Sequence, residues 1–176
     1  AVLDDYGELF NLHPSTSSYE LHFIRQQAPL VVNGIVSEFC KLSGGISALS
    51  SRDFQYAFVA NGGKIDMASC EILSSSTLGV GRNLIIDLDY GANRANVNSV
   101  VSIWDKVAGQ FVVIDQAALG NSDRSVHWVP TGDPSRFFVG PAHQVKLRFV
   151  WTRQRSAGLI PFSGRIDRIS GSIATR

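Results

Sequence analysis

The feature that most constrains the fold of this chain is a hydrophobic pattern with a period of two residues. In the clearest example, polar residues alternate with the apolar residues Val145, Leu147, Phe149 and Trp151, with Val150 as the one exception. A second example has apolar side chains at Leu84, Ile86 and Leu88 that alternate with polar ones, with Ile85 as the one exception. Because successive side chains of a β-strand point to opposite faces, both segments are predicted to be strands with one buried face.

Further short runs of apolar, β-branched or aromatic residues are spaced along the chain. They occupy residues 21–24, 30–36, 56–60, 100–104, 111–114, 126–129 and 166–173. The segments between them are rich in Gly, Asn, Asp and Pro, which favour turns. A single helical turn is predicted over 133–137, where Asp133 would cap the turn and Pro134 would occupy its first position. The sequence therefore predicts an all-β fold, an antiparallel β-sandwich or jelly roll of about eight or nine short strands.

The chain length and charge limit its organisation and its partners. A chain of 176 residues is long enough for one domain. Residues 1–28 differ in residue pattern from the rest of the chain. We therefore predict an N-terminal arm or extension over 1–28 and a β-sandwich domain over 29–176. The net charge of +1 comes from 16 basic and 15 acidic residues without a polybasic segment, which argues against nucleic acid as a partner. No apolar run reaches the length of a membrane span, and we expect no membrane insertion.

The two cysteines and the first residue are evidence on whether the protein is secreted. Cys40 and Cys70 are too far apart in sequence for a C-x-x-C pair. They either form a disulfide, worth roughly 3 to 4 kcal/mol in the chain-entropy model, or are two buried free thiols. The chain begins with Ala1 rather than Met, which is typical of a chain after signal cleavage or of a trimmed one. We therefore expect a secreted protein, extracellular or attached to the cell surface.

Four segments follow one another in a characteristic order. They are a small-residue segment at 44–53, a strand and Gly-tipped hairpin at 102–111, a turn at 131–140 that leads into the strand at 145–151, and the segment 161–169. This order resembles a β-sandwich module of secreted and cell-surface proteins of planctomycete-type bacteria, similar to carbohydrate-binding or discoidin-like jelly rolls. The resemblance implies export, a sandwich fold and no catalytic chemistry.

The candidate ligand-binding residues are Trp104, Ser102, Tyr90 and Trp128. Sugar rings have apolar C–H faces and polar edges, so exposed aromatic rings beside polar side chains are typical of carbohydrate sites. In the predicted strand at 101–105, alternation places Val101 and Ile103 on one face and Trp104 with Ser102 on the other. Trp104 is exposed if the first face is the core. The alternative is that Trp104 fills the sandwich or a domain contact, whereas Trp151 is predicted to lie in the core.

Asp87 and Asp89 share one face of a predicted strand and form a candidate calcium site. Calcium prefers several carboxylate oxygens, and Asp105 or Asp115 would complete such a site. The alternative is a solvated strand face. The four histidines show no metal-binding spacing. Beyond this structural calcium, no cofactor is expected.

Catalytic motifs are incomplete, and we expect no enzyme activity. The segment 45–49 lacks the second Gly of a nucleophile elbow, and 79–81 is a fragment of a dinucleotide fingerprint. The first functional hypothesis is a non-catalytic extracellular module with a structural, adhesive or assembly role, with protein partners or self-assembly through the arm. The second is a carbohydrate-binding module with a glycan ligand at Trp104. The third is a viral jelly-roll coat protein, although a basic tail is missing.

Overall fold

The computed structural model describes residues 2–3, 9–10, 27–35, 42–43, 49–60, 66–78, 83–153 and 162–174. The strands are β1 (Val2–Leu3), β2 (Leu9–Phe10), β3 (Gln27–Pro29), β4 (Val31–Ile35), β5 (Leu42–Ser43), β6 (Ala57–Ala60), β7 (Met67–Ser75), β8 (Asn83–Ala92), β9 (Val97–Asp105), β10 (Gln110–Leu119), β11 (Arg124–Trp128), β12 (Phe138–Val139), β13 (Gln144–Arg153) and β14 (Ser163–Ala174). Strands β1 and β2 pair with each other, and the other twelve form two antiparallel sheets. The predicted all-β sandwich is confirmed. Within the described ranges, no helix is long and apolar enough to cross a membrane.

Sheet I has the strand order β10-β9-β13-β7-β4, with β12 added beside β13. Its long central strands are in a register that places Phe149 of β13 between Val101 of β9 and Cys70 of β7. Strand β7 was missed by the sequence prediction. Its buried positions include the small residues Ala68 and Ser74 besides Ile72, so its period of two residues is only weakly hydrophobic.

Sheet II has the strand order β11-β8-β14-β6-β5, with β3 added beside β14. Strand β14 pairs with β8 from Gly164 to Ala174, with one bulge between Ile166 and Arg168. Strand β3 begins inside the predicted arm, since Ala28 lies opposite Ile173 and is buried. Most of the arm, including the predicted strand at 21–24, lies outside the described residues.

An aromatic cluster forms the centre of the core between the two sheets. Phe149 and Trp151 of sheet I stack with ring centroids 5.6 Å apart and planes at 17°. Tyr90 of sheet II meets both rings edge-on, at 5.7 and 6.4 Å. Gly164 of sheet II lies against Trp151, where an ideal Cβ would be 2.4 Å from the indole ring. The prediction that Trp151 lies in the core is confirmed, because the residue is fully buried.

A bulge in β10 supplies the partner of the buried Tyr90 hydroxyl. The bulge lies between Val113 and Asp115, and beyond it Asp115 is opposite the buried Val101. The Tyr90 hydroxyl donates a 2.5 Å hydrogen bond to the Asp115 carboxylate, which also accepts two hydrogen bonds from Arg124. Burial and the hydrogen bond to Asp115 raise the pKa of Tyr90. The phenol therefore stays neutral inside the core.

The helical turn is confirmed as a 3-10 turn over Pro134–Phe137. Asp133 caps it by accepting a 3.0 Å hydrogen bond from the Ser135 N–H. The disulfide stays a prediction. Cys70 is fully buried and is not a free thiol, whereas Cys40 lies outside the described residues.

Candidate functional site

The outer face of sheet I carries an aromatic and charged surface, which we name the Trp104 face. Cross-strand partners in a sheet share a face, so the register defines two rows across four strands. The first row contains the pairs Phe111–Trp104 and Lys146–Leu73, which are joined by the contact of Lys146 with the Trp104 ring. The second row contains Val113, Ser102, Arg148 and Glu71. Val113 is 53% exposed at one end of the second row. The surface is therefore open to solvent at this end.

Trp104 and Phe111 form the aromatic end of the Trp104 face. The two rings lie on adjacent strands in an edge-to-face pair, with centroids 5.1 Å apart and planes at 73°. Both residues are half-buried. The guanidinium carbon of Arg148 lies 3.7 Å from the Phe111 ring centroid and so covers one face of that ring. Trp104 is therefore the ring better placed for stacking by a ligand.

Arg148 is held from both sides. Its Nε and Nη2 groups donate hydrogen bonds of 2.9 and 2.5 Å to Oε1 of Glu71 on β7. The Phe111 ring holds the plane of the guanidinium from β10. Among the described residues, the remaining Arg148 N–H groups and Oε2 of Glu71 have no hydrogen-bond partner given by the structure. With side-chain exposures of 40% and 20%, this pair offers ordered donors and an acceptor to a ligand.

Lys146 completes the first row beside Trp104. Its ammonium nitrogen lies 5.6 Å from the centroid of the Trp104 ring, within the range of a cation–π contact. An ammonium on a flexible side chain can leave the ring when another group stacks there, because exposed contacts of this type are weak. The Trp104 ring is therefore accessible to a ligand that displaces Lys146.

The four predicted ligand-binding residues do not come together. The predicted parity of β9 is confirmed, since Val101 and Ile103 are buried and Trp104 faces outward. Ser102 shares the outer face but is only 5% exposed, because the longer side chains of Val113 and Arg148 flank it on both neighbouring strands.

Two of the predicted aromatic residues lie elsewhere. Tyr90 is fully buried, so its assignment to an exposed site was wrong. The physical reason is that Asp115 and Ser99 satisfy its hydroxyl inside the core. Trp128 lies on β11 of sheet II, where it packs edge-to-face on Phe137 with centroids 5.3 Å apart.

Asp87 and Asp89 share the outer face of β8 as predicted, but protein groups occupy both carboxylates. Asp87 lies 2.6 Å from Nδ1 of His127. Asp89 accepts hydrogen bonds from Nε of Arg168, at 2.7 Å, and from the Ser125 hydroxyl. In the described part of the chain, no three His, Cys, Asp or Glu residues are grouped to hold a metal ion. The arrangement favours an ion-pair network over the predicted calcium site.

The other two carboxylates considered for calcium are also paired. Asp105 accepts from the Arg136 guanidinium at 2.6 Å and from the backbone N–H groups of Val107 and Ala108. The Arg136 hydrogen bond holds the pKa of Asp105 below its usual range. Asp115 pairs with Arg124. Asp105 lies at the end of β9 and Asp115 lies at the bulge within β10, so both are on a different sheet from Asp89.

Asp167 is a buried carboxyl group at the bulge of β14 on sheet II. Its Oδ1 accepts backbone hydrogen bonds from Phe54, at 2.9 Å, and Asp53, at 3.3 Å. Its Oδ2 has no hydrogen-bond partner within the described ranges. Burial raises the pKa of Asp167, opposed by the two backbone hydrogen bonds.

We expect Asp167→Asn to raise the free energy of unfolding near neutral pH by about 1 kcal/mol, because it keeps an acceptor for the loop and removes a buried charge. The folded-state pKa lies above the unfolded one, so the contribution of wild-type Asp167 is fully present below the unfolded pKa and is lost as the pH rises through the folded pKa. Urea unfolding from acidic to neutral pH measures the difference in the free energy of unfolding between the Asp167→Asn variant and wild type. This difference should increase with pH. A difference that does not change with pH would contradict this account.

Sequence reasoning missed most of the Trp104 face. Glu71 lies on β7, the strand that was not predicted, and Phe111 was taken only as a strand residue. Lys146 and Arg148 alternate with the buried residues of β13, and this period of two could have placed both on the outer face. Their contact with Trp104 and Phe111 depends on the pairing of β13 with β9, which the pattern does not contain.

Comparisons with known proteins give distant structural likenesses. No family model matches the sequence, and no curated protein matches it significantly. The chain is similar to a mutant of a family 29 carbohydrate-binding module, with a TM-score of 0.45 and 11% identity over 84% of this chain and 86% of that one. A second mutant of such a module has a TM-score of 0.46 at 11% identity over 84% and 92%. A third, complexed with mannohexaose, has 0.44 at 10% identity over 84% and 92%.

Proposed function

We propose that this chain is a non-catalytic carbohydrate-binding domain that holds a polysaccharide on the Trp104 face. The observation that carries the proposal is the outward Trp104 ring on sheet I beside the ordered Arg148–Glu71 pair. Carbohydrates need an aromatic platform for their C–H faces and fixed polar groups for their hydroxyls, and this face combines both. Because Arg148 is already held by Glu71 and Phe111, little side-chain entropy is lost on binding.

The contacts of the two aromatic rings suggest a separate role for each residue of the Trp104 face. Trp104 stacks the sugar ring, whereas Phe111 holds Arg148 in place. The Arg148 N–H groups that do not bond to Glu71 donate to sugar hydroxyls, and Oε2 of Glu71 accepts from them. A pair of hydroxyls on adjacent sugar carbons matches this donor and acceptor arrangement.

This function is preferred over the structural, adhesive or assembly role of the first sequence hypothesis. That role depends on the N-terminal arm, most of which lies outside the described residues. The carbohydrate-binding alternative instead depends on contacts between described side chains of four paired strands. Export stays part of the proposal, since such a domain meets polysaccharides outside the cell.

We expect Trp104→Ala to weaken polysaccharide binding about thirtyfold, as for the loss of an aromatic hot spot. Affinity electrophoresis against a panel of soluble plant, algal and bacterial polysaccharides measures this change, with circular dichroism confirming that the variant is folded. The matched control is Phe58→Ala, which removes a ring that is 38% exposed on sheet II. The control should bind like wild type. Binding that survives Trp104→Ala and disappears in Phe58→Ala would place the site on the other sheet and contradict the proposal.

A further inference from the structure

The Trp104 face carries a surplus positive charge. Its eight residues include three charged side chains, those of Lys146, Arg148 and Glu71. Arg148 and Glu71 neutralise each other through the hydrogen bonds to Oε1. Lys146 has no oppositely charged partner among the residues that the structure describes, and its ammonium lies over the Trp104 ring instead. The face therefore has one cation to offer a ligand.

We infer that the ligand of the Trp104 face is an acidic polysaccharide, one whose sugar units carry a carboxylate that pairs with Lys146. This inference rests on the proposed function. The charge is in the right place, because the Lys146 ammonium lies 5.6 Å from the centroid of the Trp104 ring on the neighbouring strand. A carboxylate attached to a sugar ring on Trp104 is within reach of the flexible lysine side chain.

Competition for the Trp104 ring favours an acidic sugar over a neutral one. A sugar that stacks on Trp104 displaces the Lys146 ammonium and ends its cation–π contact. When the bound sugar is neutral, the displaced ammonium can form hydrogen bonds only to hydroxyl groups of the ligand. When the bound sugar is a uronic acid, the ammonium pairs with a carboxylate instead. This charge-assisted hydrogen bond is stronger than the cation–π contact with Trp104 that was lost.

The test compares each acidic polysaccharide with its own neutral form. Polygalacturonate, alginate and hyaluronate are each used as the native polymer and after chemical reduction of the carboxyl groups to alcohols. We expect wild-type protein to bind at least one native polymer about tenfold more tightly than its reduced form. Added NaCl should narrow that difference, because salt screens a surface ion pair.

Lys146→Gln identifies the residue responsible. We expect this variant to lose the tenfold preference and to bind the native and the reduced polymer with equal affinity. The matched control is Arg94→Gln, which removes one exposed positive charge from the turn between β8 and β9. The control should keep the preference, because Arg94 lies beyond the end of β9 that is opposite to Trp104 and is not part of the Trp104 face.

The possible results separate the two proposals. If the reduced polymers bind as tightly as the native ones or more tightly, the proposal of an acidic ligand is wrong. If Trp104→Ala then abolishes that binding, the proposed carbohydrate site on the Trp104 face is still supported. A preference that Lys146→Gln retains also overturns the inference. No binding of any polymer in either form, or elsewhere in the wider panel, overturns the carbohydrate-binding function itself.

Discussion

We expect Gly164→Ala to lower the free energy of unfolding by about 3 kcal/mol, because a methyl group at this position overpacks the core. An ideal Cβ would lie 2.4 to 2.5 Å from three carbon atoms of the Trp151 ring. That ring cannot move aside easily, since it stacks on Phe149 and meets Tyr90 edge-on. The substitution therefore forces the two sheets apart or the indole out of its rotamer.

The control for this prediction is Gly120→Ala. An ideal Cβ on Gly120 meets no heavy atom within 4 Å. Its effect on the free energy of unfolding should stay within about 0.5 kcal/mol, as for surface substitutions in general. Urea unfolding followed by tryptophan fluorescence measures both variants. Equal effects for the two glycines would show that Trp151 does not set the distance between the sheets at Gly164.

We expect Asp89→Ala to lower the free energy of unfolding by about 3 kcal/mol, because it breaks an ion pair whose carboxylate is fully buried. The Asp89 carboxylate accepts from Arg168 at 2.7 Å and from Ser125, and Nε of Arg52 lies 3.7 Å away. Its removal leaves the Arg168 guanidinium, only a third exposed, without this partner. Thermal and urea unfolding of the variant measure the loss.

Asp87→Ala is the matched control on the same face of the same strand. Asp87 and His127 have exposed side-chain fractions of 31% and 65%, so solvent screens their pair and its loss should cost less than about 1 kcal/mol. EDTA should leave wild-type stability unchanged. Equal costs for the two aspartates, together with destabilisation by EDTA, would contradict the ion-pair network and restore the calcium site.

The strands with large apolar residues were predictable from sequence. The alternation in β8 and β13 identifies the buried face of each strand, and the capped turn at Pro134 was found from its local chemistry. Strand β7 was missed because Ala68, Cys70 and Ser74 bury little apolar area each, although they alternate correctly. Their burial depends on the pairing of β7 between β13 and β4, which is a tertiary property.

The candidate site was predictable only in part, for the same reason. Parity within β9 was enough to place Trp104 outside the core. Its neighbours come from the pairing of β9 with β10 and β13, so the roles of Phe111 and Arg148 required the structure. Tyr90 was misplaced because its buried hydroxyl needs Asp115, which faces inward only after the bulge in β10.

The central claim, that the Trp104 face binds polysaccharide, is tested most directly by NMR. Titration of ¹⁵N-labelled protein with the tightest-binding oligosaccharide reports on the indole N–H resonances of Trp104 and Trp151. We predict a large shift for Trp104, with backbone shifts at Arg148 and Glu71, and little change for Trp151, which is fully buried. Shifts concentrated on β8 and β14, with an unchanged Trp104 indole, would contradict the claim.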